Sequence, residues 1–301
     1  MYFLISETHI SVLYLMGVGF SVGILGGFFG VGGSFLAGPA LFAVGMPMNF
    51  VVGTDLSHIV GKSIVAAKKH RALGHVDIKL ASIMVAGTIA GVETGAQCIQ
   101  YLKRRGNVDT VVAIGFLAVL VSISMFMGLE SWRTMKAHKD LGEQPKGDVS
   151  AFGHVSKRIQ RFHLAPMISL PDSGIEQISL WVILAVAYVG GTFSGFLGGG
   201  AGYVRMPSMV FLLGVPTHVA VGTDLFEIII SAGYGTLTHA VKGNVDILVS
   251  LVMLTGAAVG AQIGATLTEH FHGRTIRLAF VPLPLIGAGL LLYSLVTGQH
   301  F

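Results

Sequence analysis

Two sets of polar side chains lie at helical spacing inside otherwise apolar sequence. Thr54, Asp55, His58 and Lys62 form the first set, and Thr223, Asp224, Glu227 and Ser231 stand at the matching places 169 residues later. A carboxylate, an imidazole and an ammonium three or four residues apart share one face of a helix, where they can hold an anion or pass a proton. The second set has a carboxylate where the first has the imidazole, so a basic half could meet an acidic half where the two join. On this reading Lys62 or His58 neutralises the charge of a substrate and Glu227 carries a coupling proton. Arg205 has no counterpart, because Ala37 occupies its matching place. A buried guanidinium there suits a bidentate oxyanion, or pairs with Asp224 or Glu227. Blander roles stay open beside these: Lys62 can snorkel towards the basic end at Lys69, and Asp55 and Asp224 can cap helices. Asp77 and Asp246 read as caps or interfacial residues rather than ligands, and His70 and His239 as residues at headgroup depth.

Other chemistries find no support. Gly61-Lys62-Ser63 resembles the tail of a phosphate-binding loop, but the required first glycine is replaced by Leu56. Cys98 is the only cysteine, which excludes an internal disulfide or a cysteine-based zinc site. The motifs H-E-x-x-H and G-x-S-x-G are absent, and Glu269-His270-Phe271-His272 lacks metal spacing on one helix face. No catalytic residue, metal or cofactor is expected.

The elements that position these side chains are apolar. Only 34 of the 301 residues are Asp, Glu, Lys or Arg, 11% of the chain, against roughly 25% for a soluble protein. Mean hydropathy is +0.75, so lipid is the expected solvent for most of the chain. The net charge of +4 calls for no nucleic-acid partner. The opening MYFLISETHI has no basic stretch and no small-residue cleavage site, so no cleavable signal peptide is expected.

The chain is duplicated. Gly27-Phe28-Phe29-Gly30-Val31-Gly32 returns 168 residues later as Gly195-Phe196-Leu197-Gly198-Gly199-Gly200, and Val52-Gly53-Thr54-Asp55-Leu56 returns as Val221-Gly222-Thr223-Asp224-Leu225. Two membrane repeats follow, residues 9–129 and 178–298, joined by a charged connector, 130–177. Each repeat has four apolar stretches. The second, 33–67 or 203–238, would run about 52 Å as one helix against a hydrocarbon core of about 30 Å. It must break, at Gly45-Met46-Pro47 and at Gly214-Val215-Pro216. A short segment therefore lies between each glycine loop and each proline turn, as in a discontinuous or re-entrant helix.

Non-helical backbone at membrane depth is tolerated only where it is buried or lines a cavity. Gly30, Gly32 and Gly33, with Gly198, Gly199 and Gly200, are therefore candidate walls of an anion site, or places where helices pack closely. Gly87, Gly91 and Gly95, like Gly256, Gly260 and Gly264, recur every fourth residue and read as packing positions. The expected fold is an all-α polytopic membrane protein of about eight transmembrane helices in two homologous repeats. Lys and Arg place the connector on the cytoplasmic side, by 12 to 5 if the repeats are parallel and 13 to 4 if they are inverted. That difference leaves both orientations open, and oligomeric state is open as well.

These residues resemble the sulfite exporter TauE/SafE family of membrane transporters. The resemblance rests on the first glycine loop with Pro39, Val52-Gly53-Thr54 and Gly74-His75-Val76-Asp77. The second copy matches more closely, through Pro207, His218-Val219-Ala220-Val221-Gly222-Thr223 and Gly243-Asn244-Val245-Asp246. It implies a multi-pass inner-membrane permease moving small anions such as sulfite, organosulfonates or organic acids, coupled to a proton or ion gradient. Asp55 and Asp224 stand where the family pattern has a small residue, and a carboxylate there repels anions unless it is paired or protonated. A passive anion channel, or a non-transporting membrane partner of a sulfur-metabolism complex, is the alternative.

Overall fold

The computed structural model describes residues 1–141, 153–161 and 164–297; connector residues 142–152 and 162–163 lie outside the described residues. A two-stranded hairpin, β1 (Tyr2–Phe3) and β2 (Thr8–His9), opens the chain. It leads into α1 (Val12–Phe29), α2 (Ser34–Ala43), α3 (Met48–Ala72), α4 (Ile78–Arg105) and α5 (Val108–Leu141). After α6 (Gly153–Gln160) a second hairpin, β3 (Met167–Leu170) and β4 (Ile175–Ser179), leads into α7 (Leu180–Leu197) and α8 (Gly202–Ser208). Then come α9 (Thr217–Val241), α10 (Ile247–Leu267), α11 (Gly273–Phe280) and α12 (Pro282–Thr297). Among the described residues seven helical segments are long and apolar enough to cross a membrane, so the protein is an all-α polytopic membrane protein. α9 is not among the seven but equals α3 in length, at 25 residues each.

Each glycine loop breaks its helix as the sequence requires. Gly30, Gly32 and Gly33 have φ near +70°, and Gly198, Gly199 and Gly200 lie between +68° and +83°, a region that a side chain makes costly. α2 and α8 follow these loops. α8 passes after Pro207 into a wide π-helical turn, Met209–Leu213. Gly45 and Gly214, both at φ +87°, end the short segments, and Pro47 and Pro216 open α3 and α9.

α2 turns back along α1: Gly33 lies on the backbone of Val22, and the Tyr14 hydroxyl donates to the Ala40 carbonyl at 2.9 Å. The long apolar stretch is thus neither one broken crossing nor a simple dip. It is a short returning helix followed by a full-length one.

Packing ties each half to the other. Gly19, Gly23 and Gly27 of α1 lie in order against the backbone of Met253, Ala257 and Ala261, and Gly256, Gly260 and Gly264 of α10 against Met16, Phe20 and Ile24. These two helices are therefore parallel and nearly in backbone contact. α4 and α7 pair in the same way, with Gly87, Gly91 and Gly95 against Leu184, Tyr188 and Thr192. At the centre α3 and α9 run antiparallel. Gly53, near the start of α3, meets Asn244 just beyond α9, and Gly222, near the start of α9, meets His75 just beyond α3. Gly91→Val places a branched side chain on the Tyr188 carbonyl, and overpacking of this kind costs about 1–3 kcal/mol or more. The expected result is a lower melting temperature in detergent, whereas Gly17→Val, with open space around it, leaves the melt unchanged.

The structure departs from the sequence reading in three places. α5 continues through residue 129 to Leu141, so part of the connector is a helical extension with Glu130 and Thr134 buried. The last apolar stretch is two helices parted at Val281 and Pro282. His70 and His239 are fully buried within the protein and do not face headgroups or solvent; their Nε2 atoms sit 3.0 Å from the carbonyls of Gly27 and Gly195.

Candidate functional site

The two polar sets meet in the middle of the molecule, and their members are at most 2% exposed. Spacing along α3 brings three of the first set into a chain. Lys62 Nζ lies 2.9 Å from His58 Nε2, and His58 Nδ1 approaches Asp55 Oδ1 to 3.1 Å, off the hydrogen-bond line. An ammonium can only donate, so His58 Nε2 accepts and a neutral ring carries its proton on Nδ1, towards Asp55. Lys62 is turned inward and does not snorkel. Both Asp55 oxygens remain without a hydrogen-bond donor, a costly arrangement in a buried site unless a ligand, water or proton completes it.

α8 and α9 build the second set. Arg205 Nε donates to Asp224 Oδ1 and its Nη1 lies 2.6 Å from Glu227 Oε2, while Ser231 Oγ donates to the same carboxylate at 3.0 Å. Thr88 of α4 stands 3.5 Å from Arg205 Nη1. Arg205 Nη2, Asp224 Oδ2 and Glu227 Oε1 have no hydrogen-bond partner. The guanidinium is thus committed to both acids and still offers one free amine edge.

The basic and acidic residues pair within their own halves instead of across them. The halves are joined through backbone: Ser34 Oγ donates to the Gly199 carbonyl at 2.9 Å, Gly199 lies beside Asp55, and Gly32 lies beside Gly199, Ile59 and Ile228. Gly32, Gly199 and Gly200 are therefore central. Gly30, Gly33 and Gly198 instead press on the backbone of Val221, Val22 and Val52, which makes them packing positions. Asp55 and Asp224 lie inside their helices and cap nothing. The caps are Asp77, which accepts from Leu80 N, and Asp246, which accepts from Leu248 N and Val249 N.

The hydroxyls of Thr54 and Thr223 are taken up by those caps. Thr54 Oγ1 accepts from the Asp246 amide and Thr223 Oγ1 from the Asp77 amide, both at 2.9 Å, so each long helix holds the opposite half's turn. Two site neighbours escape the sequence reading. Tyr203 is fully buried with no partner for its hydroxyl and has Asp55 as an electrostatic neighbour; its place in the first half is taken by Phe35. Ser34 is the second. The mismatch of Tyr with Phe beside a duplicated glycine loop was the available signal. Among the described residues no group of three or more His, Cys, Asp or Glu is placed to hold a metal ion.

Comparison with known proteins finds membrane transporters. The family model described as Sulfite exporter TauE/SafE matches residues 15–291. "Probable membrane transporter protein YunE" of Bacillus subtilis (strain 168) is 25% identical over 291 residues, covering 93% of this chain and 97% of that protein. "Probable membrane transporter protein YjnA" of the same organism is 23% identical, covering 89% and 95%. Over a shorter stretch of 74 residues, 23% of this chain and 27% of the relative, "Probable membrane transporter protein MJ0441" of Methanocaldococcus jannaschii is 40% identical. No solved structure matches. Matched along nearly its whole length, the chain belongs to the sulfite exporter TauE/SafE family of membrane transporters.

Proposed function

We propose that the protein carries a small oxyanion, such as sulfite, an organosulfonate or an organic acid, across the plasma membrane together with a proton. The observation that carries this reading is the charge count of the buried centre. Lys62 and Arg205 face three carboxylates, Asp55, Asp224 and Glu227, so with His58 neutral the centre is formally one negative charge in excess. Uncompensated charge at membrane depth is expensive. A proton on an acid or on His58 restores balance, and each added anionic charge calls for one more. Coupling of anion to proton follows from electrostatics.

Lys62, His58 and the Tyr203 hydroxyl supply donors for the anion, and the uncapped N-terminus of α2 at Ser34 adds its partial positive charge. Arg205 holds Asp224 and Glu227 apart from the anion while one of them keeps the proton. The antiparallel α3 and α9 support an inverted-repeat reading, for which Lys and Arg favour a cytoplasmic connector by 13 to 4. A centre closed to solvent on every side favours an alternating carrier over a passive channel.

The test is flux of labelled sulfite, thiosulfate, sulfoacetate and acetate into proteoliposomes, with and without an imposed pH gradient. Accumulation of at least one oxyanion that follows the gradient is expected. Glu227→Gln should remove most of that pH response, and undiminished, still pH-dependent transport by this variant would exclude Glu227 as the proton carrier.

A further inference from the structure

The two faces of the molecule are closed by equivalent residues of different chemistry. On the face that bears the connector, the His75 and His218 rings lie 5.0 Å apart and 31° from parallel, and His70 stands 5.7 Å from His75. The register of 169 residues puts Asn244 in the place of His75 and Asn49 in the place of His218 on the opposite face. There Asn49 Nδ2 donates to Asn244 Oδ1 at 3.0 Å, and Lys103 Nζ donates to the same oxygen at 2.8 Å. Both pairs bridge the end of one long central helix to the start of the other. One pair can take up protons, and the other has no group that does.

We propose that the connector face is a pH-operated gate, opened by protonation of the His75–His218 pair, and that the opposite face closes independently of pH. Two imidazolium rings at van der Waals distance repel each other, and the stack that joins the end of α3 to the start of α9 is lost. Among the described residues, charged and titratable groups stand close to this pair. Lys69 is engaged by Glu269 at 2.5 Å, His270 follows Glu269 in sequence, and His70 is turned to the Gly27 carbonyl. Asp77 is held by the Ser173 hydroxyl at 2.6 Å, and Arg277 of α11 donates to Thr217 beside His218 at 2.5 Å. Glu269 is the acid that acts on His75, and it is shared with Lys69.

Burial, and then the neighbouring His218, lower the His75 pKa from its ordinary 6.5, with Glu269 pulling the other way. The closed face therefore binds a proton less tightly than a solvated histidine does. By linkage its stability is complete above the ordinary value and is lost as pH falls through and below it. The gate concerns access to the proposed transport site, but its test needs no transported ion.

Hydrogen exchange of the full chain in lipid nanodiscs, corrected for intrinsic pH dependence, reads both faces. Between about pH 8 and about pH 5, amides at 73–77 and 217–223 should lose roughly tenfold or more of their protection, and those at 48–54 and 242–246 should stay within about twofold. His75→Asn with His218→Asn should remove the response. Asn49→His with Asn244→His should create one on the other face, which keeps the test open if the first variant folds poorly. Equal responses at both faces, or a full response in the histidine-free variant, would overturn the gate. Failure of every oxyanion in the flux assay would sink the transport reading and leave this result standing.

Discussion

Arg205→Met is expected to destabilise the protein by about 3–5 kcal/mol, because it strands Asp224 and Glu227 in the interior with no countercharge. The measurement is thermal unfolding in detergent. Adding Asp224→Asn and Glu227→Gln to the same chain should restore most of the lost stability, since the burden is the unpaired charge and not the missing side-chain volume. Transport should not return with it. Recovery of stability without recovery of pH-driven flux separates the acids' role in proton movement from their role as partners of Arg205.

Lys62→Met is expected to lower oxyanion flux about 30-fold or more. Truncating one member of a buried charge-assisted pair costs about 2–5 kcal/mol, and every 1.4 kcal/mol is about a factor of ten. The ammonium has two roles: it donates to His58 Nε2, which fixes the ring's proton on the side of Asp55, and it supplies positive charge within reach of a bound anion. Asp55→Asn added to Lys62→Met removes the stranded carboxylate and should return the melting temperature towards that of the unaltered protein, with flux still low. Arginine at position 62 should not substitute, because its fork is too large for a contact of 2.9 Å to a neighbouring turn.

Much of this arrangement was legible in the sequence, for identifiable reasons. Proline lacks an N–H and restricts the residue before it, so Gly45-Met46-Pro47 and Gly214-Val215-Pro216 had to end helices, and they do. Charges in apolar helices call for partners, and Lys62 has His58 while Asp224 and Glu227 share Arg205; Asp55, with no donor on either oxygen, is the exception. What spacing cannot convey is the partner. The glycine stripes on α4 and α10 say that some backbone comes close, but α7 and α1 are chosen by the three-dimensional exchange of the halves.

The same limit explains the threonines. Thr54 and Thr223 look like site residues because each precedes a site acid, yet a helix turn carries them towards the cap of the opposite half. The hairpins were invisible because eight to thirteen residues of mixed polarity have no period to read. Still, Ser6 and Ser173 hold Asp246 and Asp77 in the same manner from the two ends of the molecule.

The most direct test follows protons and anion together. Proteoliposomes carrying a lumenal pH dye, clamped at zero membrane potential, are given an inward gradient of whichever oxyanion they accumulate and no initial pH gradient. Lumenal acidification in step with anion uptake, absent with Lys62→Met and strongly reduced with Glu227→Gln, is the predicted result. Anion uptake with no accompanying proton, unchanged by either substitution, would contradict the buried centre's role as a joint anion and proton site.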